Sequence, residues 1–245
     1  MPAPTPIRIA CWSGPRNIST ALMRSWGSRA DTAVVDEPFY AHYLWATGLD
    51  HPGRAAILGS QPTDWRTVAA ALTGPAPGGK DIFYQKHMAH HLLPGMVGPW
   101  LGDLRHAFLL REPAAMLTSL AKVLPDPRPE DTGLPQQVAL VERLRDEAGR
   151  VPPVIDAEDV LTDPPRLLRL LCEALGVPFE PAMLTWEAGP RPTDGVWAAH
   201  WYAAVEASTG FKPYRPKTES VPERLQSVLA ECKGYYAQLH PHRLR

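Results

Sequence analysis

The chain has 245 residues, enough for one sizeable domain with a real core and too few for two typical ones. Lys and Arg total 25 against 26 Asp and Glu, which excludes a generally basic nucleic-acid binder and confines any anion site to a local cluster. Hydrophobic residues at 44% and charged residues at 21% exclude a disordered chain.

No apolar run approaches the roughly 18 to 20 residues needed to span a bilayer, and Met1 to Pro6 lacks the basic and apolar regions of a secretory leader. A cytoplasmic protein with no membrane partner is expected. The three cysteines, Cys11, Cys172 and Cys232, are odd in number and widely spaced, so they fit reduced core thiols better than disulfides or a zinc site. Most of the 28 prolines fall between periodic segments and act as stiff connections.

In chain order, Ile7 to Trp12 is an apolar run closed by Ser13-Gly14-Pro15, and Leu22, Met23 and Trp26 then recur at helical spacing over Ser19 to Arg29. Strand, tight turn and helix follow. Further β-rich runs lie at Thr32 to Val35, Ile82 to Gln85, His106 to Leu110 and Val151 to Ile155. Helices are predicted over Asp64 to Leu72, Ala114 to Lys122, Pro135 to Gly149, Pro164 to Leu175 and Pro222 to Leu239. The Pro164 helix has a cap and early prolines in Thr162-Asp163-Pro164-Pro165, a stripe of Leu167, Leu168, Leu171 and Leu175, and a stop at Gly176. Five strands alternating with helices predict an α/β fold, a three-layer α/β/α sandwich around a mostly parallel five-stranded sheet, formed by residues 1–245 as one domain. Segments 48–62, 124–133 and 189–217 are the least regular and are the expected sites of substrate loops.

Ligands of open α/β sheets bind beyond the carboxyl ends of the strands, so the polar residues after each apolar run are the candidates. After the first strand, Ser13-Gly-Pro-Arg-Asn-Ile-Ser-Thr20 feeds a helix start and brings Arg16, two hydroxyls and free backbone N–H groups to one point, as a phosphate or sulfate cradle requires. The alternative is an ordinary βα turn with a solvated arginine. The Gly-Lys pair of the ATPase loop is replaced by Ile18-Ser19. After the fourth strand, Arg111 is followed eight residues later by Ser119; taken alone, Arg111 reads better as a charged strand end, since charged residues commonly finish buried strands.

Together these segments resemble the two nucleotide-binding signatures of the PAPS-dependent sulfotransferases, a branch of the P-loop-like superfamily. Pro15-Arg16-Asn17-Ile18-Ser19-Thr20 matches the first in its proline, base and hydroxyls, and Arg111 with Ser119 reproduces the spacing of the second. A third similarity is Val154 to Pro164, leading to Leu175-Gly-Val-Pro-Phe179, which resembles the family's strand, acidic turn and helix exit. The departures are Ile18, where the family usually has glycine, and the lack of an Arg-Lys-Gly-x-x-Gly segment near the C-terminus. Lys212, Arg215 and Lys217 are the candidate replacements there, and a solvated basic loop is the plainer alternative.

The resemblance implies PAPS as sulfuryl donor, PAP as product, a hydroxyl-bearing small-molecule acceptor and no required metal. Arg16 would take the family lysine's place at the leaving oxygen, with Pro15, Asn17, Ile18, Ser19 and Thr20 around the 5′-phosphate and Arg111 and Ser119 on the 3′-phosphate. Val34-Val-Asp-Glu-Pro resembles members that carry a glutamate base after the second strand, which implies that role for Glu37; Lys86-His87 is similar to a Lys-Thr-His context, which makes His87 the rival base. His90 and His91 are expected in a helix after that motif. The aromatic residues Phe39, Tyr40, Tyr43, Trp45, Trp197, Trp201, Tyr202 and Phe211 either frame the acceptor pocket or build core. Rival classes are a P-loop-like kinase or hydrolase, a non-catalytic nucleotide-binding module and, further off, a pyridoxal-phosphate aminotransferase. General frequencies of oligomers favour a homodimer.

Overall fold

The computed structural model describes residues 5–245, so the first four residues of the Met1 to Pro6 stretch lie outside the described part. Its sheet holds β1 (Ile7–Ser13), β2 (Thr32–Asp36), β3 (Ile82–Met88), β4 (Arg105–Leu110) and β5 (Val154–Asp156) in the order β2-β3-β1-β4-β5. Every pairing is parallel. Strands covered on both faces must be apolar on both, and the period-2 alternation divides them cleanly. Ala10, Trp12, Phe83, Phe108 and Leu110 face one core, which is completed by α4 (Trp65–Thr73), α5 (Pro113–Leu120), α6 (Leu134–Ala148) and α11 (Gln226–Leu239). Ile9, Cys11, Tyr84, Ala107 and Leu109 face the other, closed by α1 (Ser19–Gly27) and α8 (Pro164–Ala174). The three-layer α/β/α architecture is therefore as predicted, with a sheet that is parallel throughout.

Local chemistry sets the element ends. Asp163 accepts a hydrogen bond from the Arg166 N–H and caps α8, and Asp64 caps α4 in the same way. The fifth strand begins at Val154 rather than Val151, because Pro152 and Pro153 have no N–H to give a ladder. In contrast, β3 runs three residues past its apolar stretch. Its polar residues Gln85 and Lys86 find partners inside the fold, Gln85 donating to the Leu72 carbonyl. The helices α2 (Tyr40–Thr47), α3 (Arg54–Ser60), α7 (Ala157–Thr162), α9 (Ala198–Trp201) and α10 (Ala203–Glu206) were not anticipated. Three of them lie in segments read as irregular, α3 within 48–62 and α9 and α10 within 189–217, all short and lacking side-chain caps. His90 and His91 sit in a single 3₁₀ turn, Ala89–His91, instead of a helix. All three cysteines are free and buried. No helix among the described residues is long and apolar enough to cross a membrane.

Several histidines are buried as neutral rings. Burial pushes His87 and His90 down to about 3 and His106 to about 4, and drives His91 well below its ordinary value. Folded values below the unfolded 6.5 mean that this contribution is complete above pH 6.5 and is lost as pH falls toward the folded values. Each such ring costs about 1.4 kcal/mol per pH unit across that window. The denaturant midpoint should therefore hold steady above about pH 6.5 and fall steeply below it. A midpoint that stays level down to about pH 5 would contradict this burial.

Candidate active site

The carboxyl ends of β1, β2, β3 and β4 lie along one edge of the parallel sheet. The β1 loop packs so tightly on the 129–132 turn that a Cβ on Gly14 would lie 2.2 Å from the Thr132 carbonyl oxygen, so only glycine fits without backbone movement. Beyond it, Arg16 has φ of +56°, a left-handed conformation unusual and strained for a side-chain-bearing residue. This twist sends the Arg16 Nε to the Ser119 Oγ at 3.0 Å and presents the Arg16 carbonyl to Arg111 Nη1. The two separated sequence signatures are thereby one physical unit. Asn17 braces it, donating to the Leu109 carbonyl at 3.1 Å and accepting from the Ile18 N–H at 2.8 Å.

Ile18 stands at the N-cap of α1 with φ −88° and ψ 18° and makes no side-chain cap. Any residue adopts that backbone, and the isoleucine side chain packs on the core beneath, so glycine is not needed there; the strain has moved to Arg16. The first intrahelical bond is Leu22 N–H to the Ile18 carbonyl, leaving the Ser19, Thr20 and Ala21 N–H groups at the positive end of the helix with no capping side chain. Neither Arg16 nor Arg111 pairs with a carboxylate among the described residues. Burial, followed by the neighbouring Arg16 charge, lowers Arg111 from its usual value. Unpaired cations at an uncapped helix start are the groups that an anion-binding cradle requires.

Lys212 and Arg215 are exposed and make no hydrogen bond or ion pair among the described residues. Lys217 lies closer to the cradle. Burial and then the like charge of Arg111 hold its ammonium below the ordinary range, with Lys122 and Arg16 adding to the repulsion.

On the other side of β1, Glu37 ends the β2 turn. It is buried, its φ is +38°, and it precedes Pro38, where a left-handed backbone is doubly disfavoured. The strain is held by the Glu37 N–H donating to the Lys86 carbonyl at 2.9 Å and by Gln61 Nε2 donating to the Glu37 carbonyl at 3.2 Å. Lys86 Nζ donates to Glu37 Oε1 at 2.8 Å, to Asp36 Oδ1 at 2.9 Å and to the Tyr202 hydroxyl at 2.5 Å. Glu37 Oε2 has no hydrogen-bond partner among the described residues. Burial raises the Glu37 carboxyl above its ordinary value, Lys86 opposes that rise and Asp36 adds to it.

Lys86 and His87 are adjacent on a strand and face opposite sides of the sheet. His87 is stacked on Trp12 with ring centroids 4.3 Å apart, packs on Phe39, and shares a 3.2 Å hydrogen bond with Gln85. The structure brings Glu37 and Lys86 together and sets His87 among aromatic rings. Of the aromatic residues, Phe39, Tyr40, Tyr43, Trp197 and Tyr202 are buried in cores, whereas Trp45 is 62% exposed. The partners Asp36 and Tyr202 were not anticipated in these roles. Asp36 carried no reading of its own beside Glu37, and Tyr202 arrives from 166 residues away with no local signal.

Comparison with known proteins now bears on this arrangement. A family model described as a sulfotransferase domain matches residues 7–239. The chain belongs to the sulfotransferase family. Solved structures of the same fold include a sulfotransferase domain from the curacin biosynthetic pathway, with TM-score 0.52, 19% identity and 96% and 98% of the two chains covered. A sulfotransferase from Alicyclobacillus acidocaldarius aligns with TM-score 0.55 and 16% identity over 98% and 97%. Two Arabidopsis thaliana proteins named branched-chain-amino-acid aminotransferase-like protein 2 and protein 1 are 36% and 38% identical over 96% of this chain. The chain spans only 41% and 42% of their lengths.

Proposed function

We propose that this sulfotransferase takes its sulfuryl group from PAPS and passes it in line to a hydroxyl of a small-molecule acceptor, with residues 1–245 acting as one domain in the cytoplasm. The observation that carries the reading is the meeting of Arg16, Arg111 and Ser119 at the uncapped start of α1. Two guanidiniums without carboxylate partners suit a donor with a phosphosulfate at one end and a separate 3′-phosphate at the other. Arg16 with the Ser19 and Thr20 N–H groups would hold the first, and Arg111, Ser119 and the nearby Lys217 the second.

In the transfer, the acceptor oxygen bonds to sulfur as the bond from sulfur to the bridging phosphate oxygen breaks. The acceptor proton passes to Glu37 Oε2, and the charge left on PAP is met by Arg16 and the helix N–H groups. Glu37 suits the base role better than His87. Its Oε2 accepts no hydrogen bond from the described residues, whereas the His87 ring, held near 3, has little affinity for a proton. No metal enters these steps.

The aminotransferase-like names of the plant relatives support a second reading less well. A pyridoxal-phosphate enzyme needs an unprotonated lysine amine. Lys86 is the one buried lysine, and Asp36 and Glu37 hold it as an ammonium, well above its ordinary value, while the other five are exposed.

Thermal unfolding with PAP, with ADP and with ADP plus magnesium tests the donor assignment. A ligand at about 100 times its dissociation constant adds roughly 2.7 kcal/mol to the native state, which at this length shifts Tm by about 5 to 10 °C. The shift should appear with PAP and vanish in Arg111→Ala. A shift with ADP plus magnesium and none with PAP would make the protein a phosphoryl-transfer or nucleotide-sensing member of the fold instead.

A further inference from the structure

The network behind Glu37 is more elaborate than a buried carboxylate needs. One cation, Lys86, faces two carboxylates whose side chains are 1% and 11% exposed, and it spends its three N–H donors on Asp36, Glu37 and Tyr202. The Tyr202 hydroxyl in turn donates to Asp36 Oδ2 at 2.7 Å and accepts from Trp197 Nε1 at 3.2 Å. Asp36 Oδ2 also takes the Gly195 N–H at 3.1 Å. All three donors of Lys86 and the hydroxyl proton of Tyr202 are thus used, and both oxygens of Asp36 accept, which fixes Lys86 in place and with it Glu37 Oε1. Glu37 Oε2 is the oxygen the network leaves over.

A buried set of one positive and two negative charges carries an excess negative charge. Burying ions is costly even when they are paired, so a fold that needed only stability would do as well with apolar residues here. The titratable groups facing Glu37 are Asp36 beside it, Lys86 from β3, Tyr40 from α2 and Tyr202 from the segment that joins α9 to α10. The two tyrosines are raised by burial and stay neutral. Only Asp36 and Lys86 therefore supply charge, and they act on Glu37 in opposite senses.

We propose that Asp36 and Lys86 are positioning residues for the transfer: they clamp one oxygen of Glu37, leave the other free for the acceptor proton, and balance the charge around it, while Tyr202 locks the pair from the far end of the chain. This rests on the reading of Glu37 as the base. The geometry gives the two residues distinguishable effects. Removing the Asp36 charge leaves Lys86 to Glu37 alone and makes Glu37 a weaker base; removing the Lys86 charge makes it hold its proton more tightly.

The test is a carbon-13 NMR titration of the protein carrying carboxyl-labelled glutamate, with the Glu37 signal assigned by its loss in Glu37→Gln. Asp36→Asn, nearly the same shape, should lower the Glu37 midpoint by about one pH unit or more, and Lys86→Met should raise it by a similar amount. The acid limb of turnover against pH, measured on a panel of primary alcohols, phenols and sugars, should move with each midpoint. Tyr202→Phe keeps all three charges and should leave the midpoint close to wild type. If Lys86→Met does not fold, Asp36→Asn and Tyr202→Phe decide the matter between them. Midpoints that do not move in Asp36→Asn, or that move as far in Tyr202→Phe, would overturn the proposal by making packing rather than charge responsible. Undiminished turnover in Glu37→Gln would instead remove the base assignment, an outcome the NMR midpoints do not depend on.

Discussion

Arg16→Ala should leave the fold standing and lower turnover by about two to three orders of magnitude, the usual loss when one donor to a developing anion is removed. Arg16 is exposed, and its hydrogen bonds are the Nε contact to Ser119 and the backbone carbonyl offered to Arg111. Its removal therefore costs little packing, and Tm should stay within a few degrees of wild type. In the proposed transfer, what it costs is charge at the point where the leaving phosphate oxygen becomes negative, with the helix N–H groups left to supply the rest. Turnover with any acceptor that the wild-type protein sulfates, read beside Tm, checks both halves. Arg16→Gly sharpens the test. Glycine accepts the φ of +56° without strain, so that variant should be at least as stable as Arg16→Ala and equally slow. Turnover unchanged in both would place the reacting oxygen away from this loop and sink the mechanism.

The strain at Arg16 and Glu37 also explains what was legible in the sequence and what was not. The sheet was readable because its strands are largely apolar on both faces and some helices between them announce their starts, as Asp163-Pro164 does for α8. The meeting of Arg16, Arg111 and Ser119, proposed above as an anion cradle, was readable because its parts are contiguous, Pro15 to Thr20 after one strand and Arg111 to Ser119 across another strand end and helix. Ile18 drew attention as a departure from glycine, yet its backbone is ordinary; the unusual conformation sits two residues earlier, at a position where sequence shows only an arginine. Local pattern cannot show which residue of a loop absorbs the twist, since that depends on where Ser119 and Arg111 end up. The network of Asp36, Lys86 and Tyr202 was hidden for a related reason. Its members come from β2, β3 and a segment 116 residues beyond Lys86, and only the closed sheet brings them together. Lys86 and His87 were adjacent in the motif, and the alternation of the strand separated them.

That separation decides the second large effect. Glu37→Gln should reduce turnover by about a hundredfold to ten-thousandfold, the range a positioned general base contributes, while leaving the PAP-dependent rise in Tm in place because the anion cradle is untouched. Glutamine keeps the length of the side chain and can still accept from Lys86 through its amide oxygen, so the β2 turn keeps its hydrogen bonds. The pH dependence gives the sign. Glu37 acts when deprotonated and its carboxyl is raised by burial, so wild-type turnover should climb with pH through a midpoint above the ordinary carboxylate range. In Glu37→Gln that climb should be gone and the residual rate level across the same window. His87 supplies the contrary case. Were it the base, His87→Gln would stop transfer and Glu37→Gln would spare it, with the pH dependence retained. The placement of His87 between Trp12 and Phe39 predicts the reverse: its loss should lower Tm, because a stacked and buried ring is removed, more than it lowers turnover per folded molecule. Measuring Tm with and without PAP alongside turnover for the two variants separates loss of chemistry at the end of β2 from loss of packing beneath the sheet.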